Sequence, residues 1–194
     1  MKKRLVSTLV LMTLLAGLIP VGLRAEWDPA SDQELVRNAE KTVAAFKKAD
    51  SKIQNYFKQA YGYAVFPTVG KGSLIIGGAH GVGVVYIGGK IVGKATITKI
   101  SIGAQAGGEA YSELMFFKDK ATAQKFREGK TKFEATASAT AVTSSAHAGT
   151  NWSDGIAVFF KGKGGLIADA SMGTQNFSFE PAVQPPQKKK GTGK

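Results

Sequence analysis

Residues 70–94 read GKGSLIIGGAHGVGVVYIGGKIVGK, and this stretch decides the fold of the chain. It contains nine glycines and three lysines but no acidic residue. Short runs rich in β-branched residues, such as GVVYI at 83–87, are typical of strands. The pair Gly88-Gly89 between two such runs predicts a two-residue hairpin turn. Because glycines inside strands mark bulges, bends or close packing, the stretch predicts tightly packed antiparallel strands.

Glycine beside lysine is also found in phosphate-binding loops, but the spacing here argues against one. A P-loop requires serine or threonine after its lysine, whereas Lys71 precedes Gly72 and Lys90 precedes Ile91. The G-x-G at 81–83 leads into a strand, so no helix N-terminus would face a pyrophosphate. We therefore expect no nucleotide site.

The flanking segments complete an α+β pattern. SDQE at 31–34 has capping-box spacing, with Ser31 as N-cap and Glu34 at the third helical position, and predicts a helix over 32–48. A second helix is expected after a break at 49–51, and a third over 119–130. The remaining segments predict eight or more strands. The expected fold is α+β, with N-terminal amphipathic helices packed on an antiparallel glycine-rich β-sheet or barrel-like sandwich and one short inserted helix.

The two ends of the chain differ from its middle. Basic MKKR, an apolar run and LRA before Glu26 have the layout of a secretory signal peptide. We expect a signal peptide at 1–25, a linker at 26–32, the folded domain at 33–181 and a disordered basic tail at 182–194. An uncleaved anchor is the alternative. The protein is thus predicted to be exported, periplasmic or secreted, and peripheral to a membrane. The chain has no cysteine, which excludes thiol catalysis and thiolate metal sites.

Residues for catalysis or metal binding do not form a recognisable motif. His80 and His147 are far apart in the sequence, and no nucleophile elbow is present. Glu109 and Glu113 are interpreted as surface carboxylates rather than an acid/base pair. We predict a non-enzymatic protein with no catalytic residues, metal site or cofactor. A hydrolase with an unrecognised site, acting through Glu113 or His147, is an alternative.

The charge distribution favours an anionic partner. The formal net charge is +12, and residues 51–108 contain no aspartate or glutamate. Nucleic acid is not expected, because the aromatic residues sit singly among apolar neighbours and do not form a stacking platform. A membrane surface suits an amphipathic helix with basic residues on one side. The candidate headgroup contacts are Arg37, Lys41, Lys48, Lys52, Lys71, Lys90 and Lys94.

Five blocks resemble the SYLF domain family in order and spacing: AYGYAVFPTVGKG (60–72), GGAHGVGVVYIGGKIVG (77–93), SIGAQAGGEAYSELMFF (101–117), GIAVFFKGKGGLIADASMG (155–173) and FSFEP (177–181). The resemblance covers about 33–181. It implies phospholipid binding, with phosphoinositides preferred among eukaryotic members, and points to Arg37, Lys41, Lys48 and Lys71. In a bacterial chain, phosphatidylglycerol, cardiolipin or a lipid A phosphate would be the ligand. The alternative function is a structural or protein-interaction module of the cell envelope without lipid specificity, with an envelope protein as its partner.

Overall fold

The computed structural model describes residues 26–70, 78–100, 110–134, 152–162, 165–166 and 174–183. Its helices are α1 (Gln33–Ala49), α2 (Ile53–Gln59) and α3 (Lys120–Arg127). Its strands are β1 (Gly62–Gly70), β2 (Gly78–Ile87), β3 (Lys90–Ile100), β4 (Tyr111–Phe117), β5 (Lys132–Glu134), β6 (Ile156–Gly162), β7 (Gly165–Leu166) and β8 (Thr174–Pro181). The predicted signal peptide, and all of the predicted tail beyond Val183, lie outside the described residues.

The strands form a single sheet in the order β5-β8-β3-β2-β1-β4-β6-β7. Every neighbouring pair is antiparallel. Six longer strands make up most of this sheet, and the short β5 and β7 lie at its two ends. The predicted α+β class with an antiparallel sheet is confirmed. The sheet is not closed, because β5 and β7 end the strand order without pairing to each other in the described part of the chain.

Strand β1 is a central strand that the sequence analysis missed. The sequence prediction began the strands after YGYAVFP (61–67) and so left this segment out of the sheet. In the structure β1 pairs with both β2 and β4, and its register shifts around Pro67 on both sides. The Ser112 hydroxyl donates a hydrogen bond to the Pro67 carbonyl at 2.7 Å. The bulge therefore accommodates a residue that lacks a backbone donor.

The sheet is strongly curled, because β4 and β8 touch across its inner face. They are four steps apart in the strand order, which in a flat sheet would separate them by roughly 19 Å. Yet the Gln175 amide on β8 hydrogen-bonds the Glu113 carboxyl on β4 at 3.1 Å. Phe126 of α3 also contacts Phe117 of β4 and Phe177 of β8, with ring centroids 4.8 and 5.1 Å apart. The inner face thus encloses one of two hydrophobic cores.

Glycines allow this close packing. A Cβ atom at Gly83 would lie 2.4 Å from the Val65 carbonyl oxygen and 2.6 Å from the Phe66 ring. The Phe66 ring therefore packs directly on the backbone of β2. At the β2–β3 turn Gly88 and Gly89 have φ values of +56° and +75°, as the predicted two-residue hairpin requires.

The outer face of the sheet packs against α1 and α2. Phe46, Ile53 and Tyr56 are buried in a second core with side chains of β1, β2, β4 and β6. Tyr56 contacts Phe116 and Phe159 with ring centroids 5.6 and 4.8 Å apart. Aromatic pairs of this kind add stabilisation beyond the burial of their area. The helices are thus held on the sheet by an aromatic layer.

The start of α1 differs from the predicted capping box. Asp32, not Ser31, occupies the N-cap, and no side chain caps the helix there. The Ser31 hydroxyl instead donates to the Asp28 carbonyl at 2.8 Å, within a turn that precedes the helix. Asp32 accepts a hydrogen bond from the Trp27 indole at 3.3 Å. The prediction was wrong because this turn already uses the Ser31 side chain.

Trp27 attaches the segment before α1 to the end of β8. Its indole ring is buried, and its backbone exchanges hydrogen bonds with Pro181 and Val183. Packed residues therefore extend from Trp27 to Ala182, beyond both ends of the predicted 33–181 domain. Within the described residues, no helix is long and apolar enough to cross a bilayer.

The third helix closes one end of the inner face. The Asp119 carboxylate accepts hydrogen bonds from the Thr122 backbone and hydroxyl, at 2.8 and 2.9 Å, and these bonds lower the pKa of Asp119. The sequence of this helix predicts Ala121 and Phe126 on its inward side. Phe126 is buried, whereas Ala121 is exposed and Ala123 takes the inward position. This end of the curled sheet is therefore filled by α3.

Replacing Gly83 with alanine tests the close contact between β1 and β2. We expect G83A to lose about 1–3 kcal/mol of unfolding free energy, because the new methyl group would overlap the Val65 carbonyl oxygen and the Phe66 ring. The control is G70A, whose added methyl meets only the Ala110 side chain at 3.2 Å and nearby backbone. Urea denaturation of both variants measures the difference. Equal losses would show that the contact at Gly83 does not constrain the sheet.

Candidate functional site

Four polar side chains gather inside the curled sheet, at the end away from α3. Because side chains alternate along a strand, Tyr111 and Glu113 share the inner face of β4 with Met115 and Phe117. We call the four residues the interior polar cluster: Lys99 of β3, Tyr111 and Glu113 of β4, and Gln175 of β8. Glu113, Gln175 and Lys99 are at most 2 % exposed.

The members of the interior polar cluster are in contact or close to one another. The Gln175 amide donates to Glu113 Oε2 at 3.1 Å. Lys99 lies directly opposite Gln175 in the β3–β8 pairing, and its ammonium is 5.6 Å from the centre of the Tyr111 ring. The cluster therefore combines a carboxyl, an amide, an ammonium and a phenol from three strands.

Three oxygens of the interior polar cluster are buried without a hydrogen-bond partner. They are Glu113 Oε1, Gln175 Oε1 and the Tyr111 hydroxyl. In the described part of the chain, one other side-chain oxygen, the Tyr86 hydroxyl, is also buried without a hydrogen-bond partner. Because native proteins leave few buried polar atoms unpaired, this concentration in one place marks a candidate functional site.

Burial sets the ionisation of the interior polar cluster. It raises the pKa of Glu113 to about 8, while the Lys99 charge and the Gln175 hydrogen bond act in the opposite direction. Burial also raises the pKa of Tyr111, and the nearby Glu113 raises it further. Tyr111 therefore stays neutral where Glu113 titrates. A carboxyl that changes protonation near neutral pH is suited to acid/base work or to proton-dependent binding.

The interpretation of Glu113 as a surface carboxylate is wrong, since the side chain is fully buried. The sequence held a signal for this position. In YSELMFF the alternate residues Tyr111, Met115 and Phe117 are apolar or aromatic, which places Glu113 on the same face. Lys99 likewise shares its face with Ala95 and Ile97. No local signal identifies Gln175 as their partner, because β8 follows β4 by more than 50 residues.

The predicted helix contacts lie on the exposed side of α1. Arg37, Lys41 and Lys48 are all exposed. With about 100° of rotation per residue, these three side chains and the exposed Ala44 lie along one side of the helix. The buried Ala39 and Phe46 lie on the opposite side. The helix thus presents a narrow basic row, named here the α1 basic row (Arg37, Lys41 and Lys48), while its other side is fixed on the sheet.

The other predicted headgroup residues do not share one surface. Lys52 is exposed at the start of α2, where its backbone N–H donates to Asp50 at 2.8 Å. Lys90 is exposed at the β2–β3 turn. Lys94 forms an ion pair with Glu180 at 3.0 Å, so its charge is already balanced. Lys71 lies outside the described residues.

The described residues contain no group of three or more histidine, aspartate or glutamate side chains that could hold a metal ion. His80 is exposed on β2. Glu109 and His147 lie outside the described residues. Comparison of the chain with protein-family models and with curated proteins gives no match.

Replacing Gln175 with leucine tests the hydrogen bond inside the cluster. We expect Q175L to lower the unfolding free energy by about 1–3 kcal/mol, because Glu113 would lose a partner while remaining buried. The pKa of Glu113 would rise further, since this hydrogen bond lowers it. The control is Q124L, which removes an exposed amide–carboxylate bond on α3. Urea denaturation at fixed pH compares them, and equal small losses would contradict the assignment.

Proposed function

We propose that the protein binds anionic phospholipid surfaces peripherally and without catalysis, through the α1 basic row. The observation that carries this proposal is the arrangement of α1 itself. Three exposed cations lie in one row, and the opposite side of the helix is buried against the sheet. In this proposal the N-terminal helices on the glycine-rich sheet form the membrane-facing unit, with Lys52 and the β2–β3 turn at Lys90 as additional contacts.

A fixed helix supports such binding physically. Because Phe46 and Ala39 hold α1 on the sheet, binding would not require the helix to fold or insert its apolar side. The attraction would come from charge, with each basic residue near an anionic surface contributing about 1 kcal/mol. The flanking acidic residues Glu34 and Glu40 are exposed but lie to either side of the row. The expected contact is therefore shallow, electrostatic and salt-sensitive.

The resemblance to the SYLF domain family supports the same ligand class. It implies phospholipid binding and places the contact on the N-terminal helix and nearby basic residues. The ion pair between Lys94 and Glu180 makes Lys94 a weak candidate within this proposal. The shared chemistry is an anionic phosphate headgroup, for which phosphatidylglycerol is a convenient probe. Exported or periplasmic localisation remains part of the proposal.

Reversing the charges of the α1 basic row tests the proposal. The chain without its predicted signal peptide, residues 26–194, would be mixed with vesicles of phosphatidylcholine alone or with added phosphatidylglycerol, at low and high salt. We expect binding to the anionic vesicles alone, weakened by salt. The variant R37E/K41E/K48E should bind at least roughly 100-fold more weakly, because it loses three attractive contacts of about 1 kcal/mol each. Co-sedimentation measures the bound fraction.

The matched control reverses three exposed lysines on and just before α3, as K118E/K120E/K125E. It changes the net charge by the same amount but leaves α1 intact, so it should keep most of the binding. A second control removes Lys188, Lys189 and Lys190. Equal loss in both triple variants, or loss with the tail alone, would contradict a site on α1. Absence of vesicle binding by the unaltered chain would favour the envelope-protein alternative.

A further inference from the structure

A proton would satisfy two unpartnered oxygens of the interior polar cluster. Glu113 Oε1 and Gln175 Oε1 are both buried without a hydrogen-bond partner. An ionised carboxyl and an amide oxygen can only accept hydrogen bonds, so neither could satisfy the other. A proton on Glu113 converts one acceptor into a donor and removes the buried negative charge. The Lys99 charge favours the ionised form, but burial outweighs it and makes the neutral carboxyl the favoured form below a pH of about 8.

We propose that Glu113 is a proton-binding site inside the curled sheet, and that proton release there loosens the contact between β4 and β8. This inference is independent of the proposed lipid binding, because it concerns the inner face and not α1.

The location of the contact explains why its loss would open one end of the sheet. β4 and β8 are not neighbours in the strand order, and the described hydrogen bond that joins them directly is that between Gln175 and Glu113. At the other end the two strands are held by apolar contacts of Phe126 with Phe117 and Phe177. Burial disfavours an ionised Glu113 despite the opposing effect of the Lys99 charge, and β8 can move away from β4 without breaking a ladder pair. Opening is therefore expected at the Gln175 end.

The groups that face Glu113 determine the direction of the pH effect. Lys99 of β3 and Tyr111 of β4 are the ionisable neighbours in the described part of the chain, and Gln175 of β8 is neutral. From β1, the facing Phe66 and Val69 carry no charge. Ala79 of β2, Phe160 of β6 and Phe126 of α3 also face the inner core, and all three are uncharged.

The raised pKa of Glu113 determines whether the protein becomes more or less stable as the pH rises. Burial raises the pKa of Glu113 from 4.5 to about 8. Between these values the folded protein holds a proton that the unfolded chain releases. The contribution of Glu113 to the free energy of unfolding is therefore largest below pH 4.5. It decreases as the pH rises to about 8 and no longer changes above that pH. Within the window the unfolding equilibrium constant should rise by up to about tenfold per pH unit.

Urea unfolding of the full chain is measured between roughly pH 5 and 9, for the unaltered protein and for E113Q. This range covers the pH values over which the proton on Glu113 is expected to change the stability. E113Q keeps the shape of the side chain but cannot ionise. Its unfolding equilibrium constant should therefore lack the rise of up to about tenfold per pH unit that Glu113 causes. The matched control E180Q removes a partly exposed carboxyl on β8 and should keep the slope. K99M removes the charge that lowers the pKa of Glu113, so the titration should move to higher pH.

Two further measurements test the proton site and the loosening of the β4–β8 contact separately. Carbon-13 NMR of the Glu113 carboxyl should show titration near pH 8, and it decides the question even if E113Q fails to fold. Amide hydrogen exchange, corrected for the intrinsic pH dependence, should show β8 losing protection above that pH in the unaltered chain but not in E113Q.

A slope in E113Q equal to that of the unaltered chain, or a Glu113 titration near its ordinary value, would overturn the proton site. Titration near pH 8 without any change in β8 protection would overturn the loosening of the contact. Since no vesicle is present, failure here leaves the lipid proposal unaffected, and the reverse also holds.

Discussion

The close approach of β1 and β2 at Gly83 is the constraint on which the rest of the structure depends. With no side chain at this position, the Phe66 ring packs against the β2 backbone on the inner face. The sheet can then curl tightly enough for β8 to reach β4, although three strands lie between them. Without that curl, Lys99 and Gln175 on β3 and β8 would lie too far from Tyr111 and Glu113 on β4 to interact. The described glycine at this position thus acts through steric room.

The two faces of the sheet have different physical roles. The outer face is apolar and aromatic, and it fixes α1 so that one side of the helix remains exposed. The inner face is apolar near α3 but holds an ammonium, a carboxyl, an amide and a phenol at its other end. Burying such groups costs free energy that apolar side chains would not. Their presence therefore calls for an explanation other than stability.

The two proposed sites differ in how they would respond to their surroundings. Charges of the α1 basic row are exposed, so salt screens them over about 10 Å at 0.1 M. Glu113 is fully buried, so salt affects it little and pH affects it strongly. The unaltered chain would thus have one salt-sensitive surface and one pH-sensitive interior. Each can be perturbed without the other, because they lie on opposite sides of the sheet.

The sequence by itself determined the elements whose signals are local. The hairpin at Gly88-Gly89 follows from turn chemistry, and the α+β class follows from the change between helical and alternating patterns. The amphipathic pattern of α1 likewise placed Arg37, Lys41 and Lys48 opposite its apolar side. The capping signal at Ser31 was misleading because a preceding turn already uses that side chain, and β1, in which a bulge accommodates Pro67, was not predicted.

Only the tertiary structure decided which distant residues meet. Alternation along β3 and β4 could have placed Lys99 and Glu113 on an inner face, but it could not show that these faces enclose one space. Gln175 meets Glu113 across 62 residues of sequence, through a curl that no segment specifies alone. The exposed α1 basic row could therefore be predicted from the sequence, whereas the interior polar cluster could not. The physical reason is that helical periodicity is set within one segment, while the curl depends on contacts between several strands.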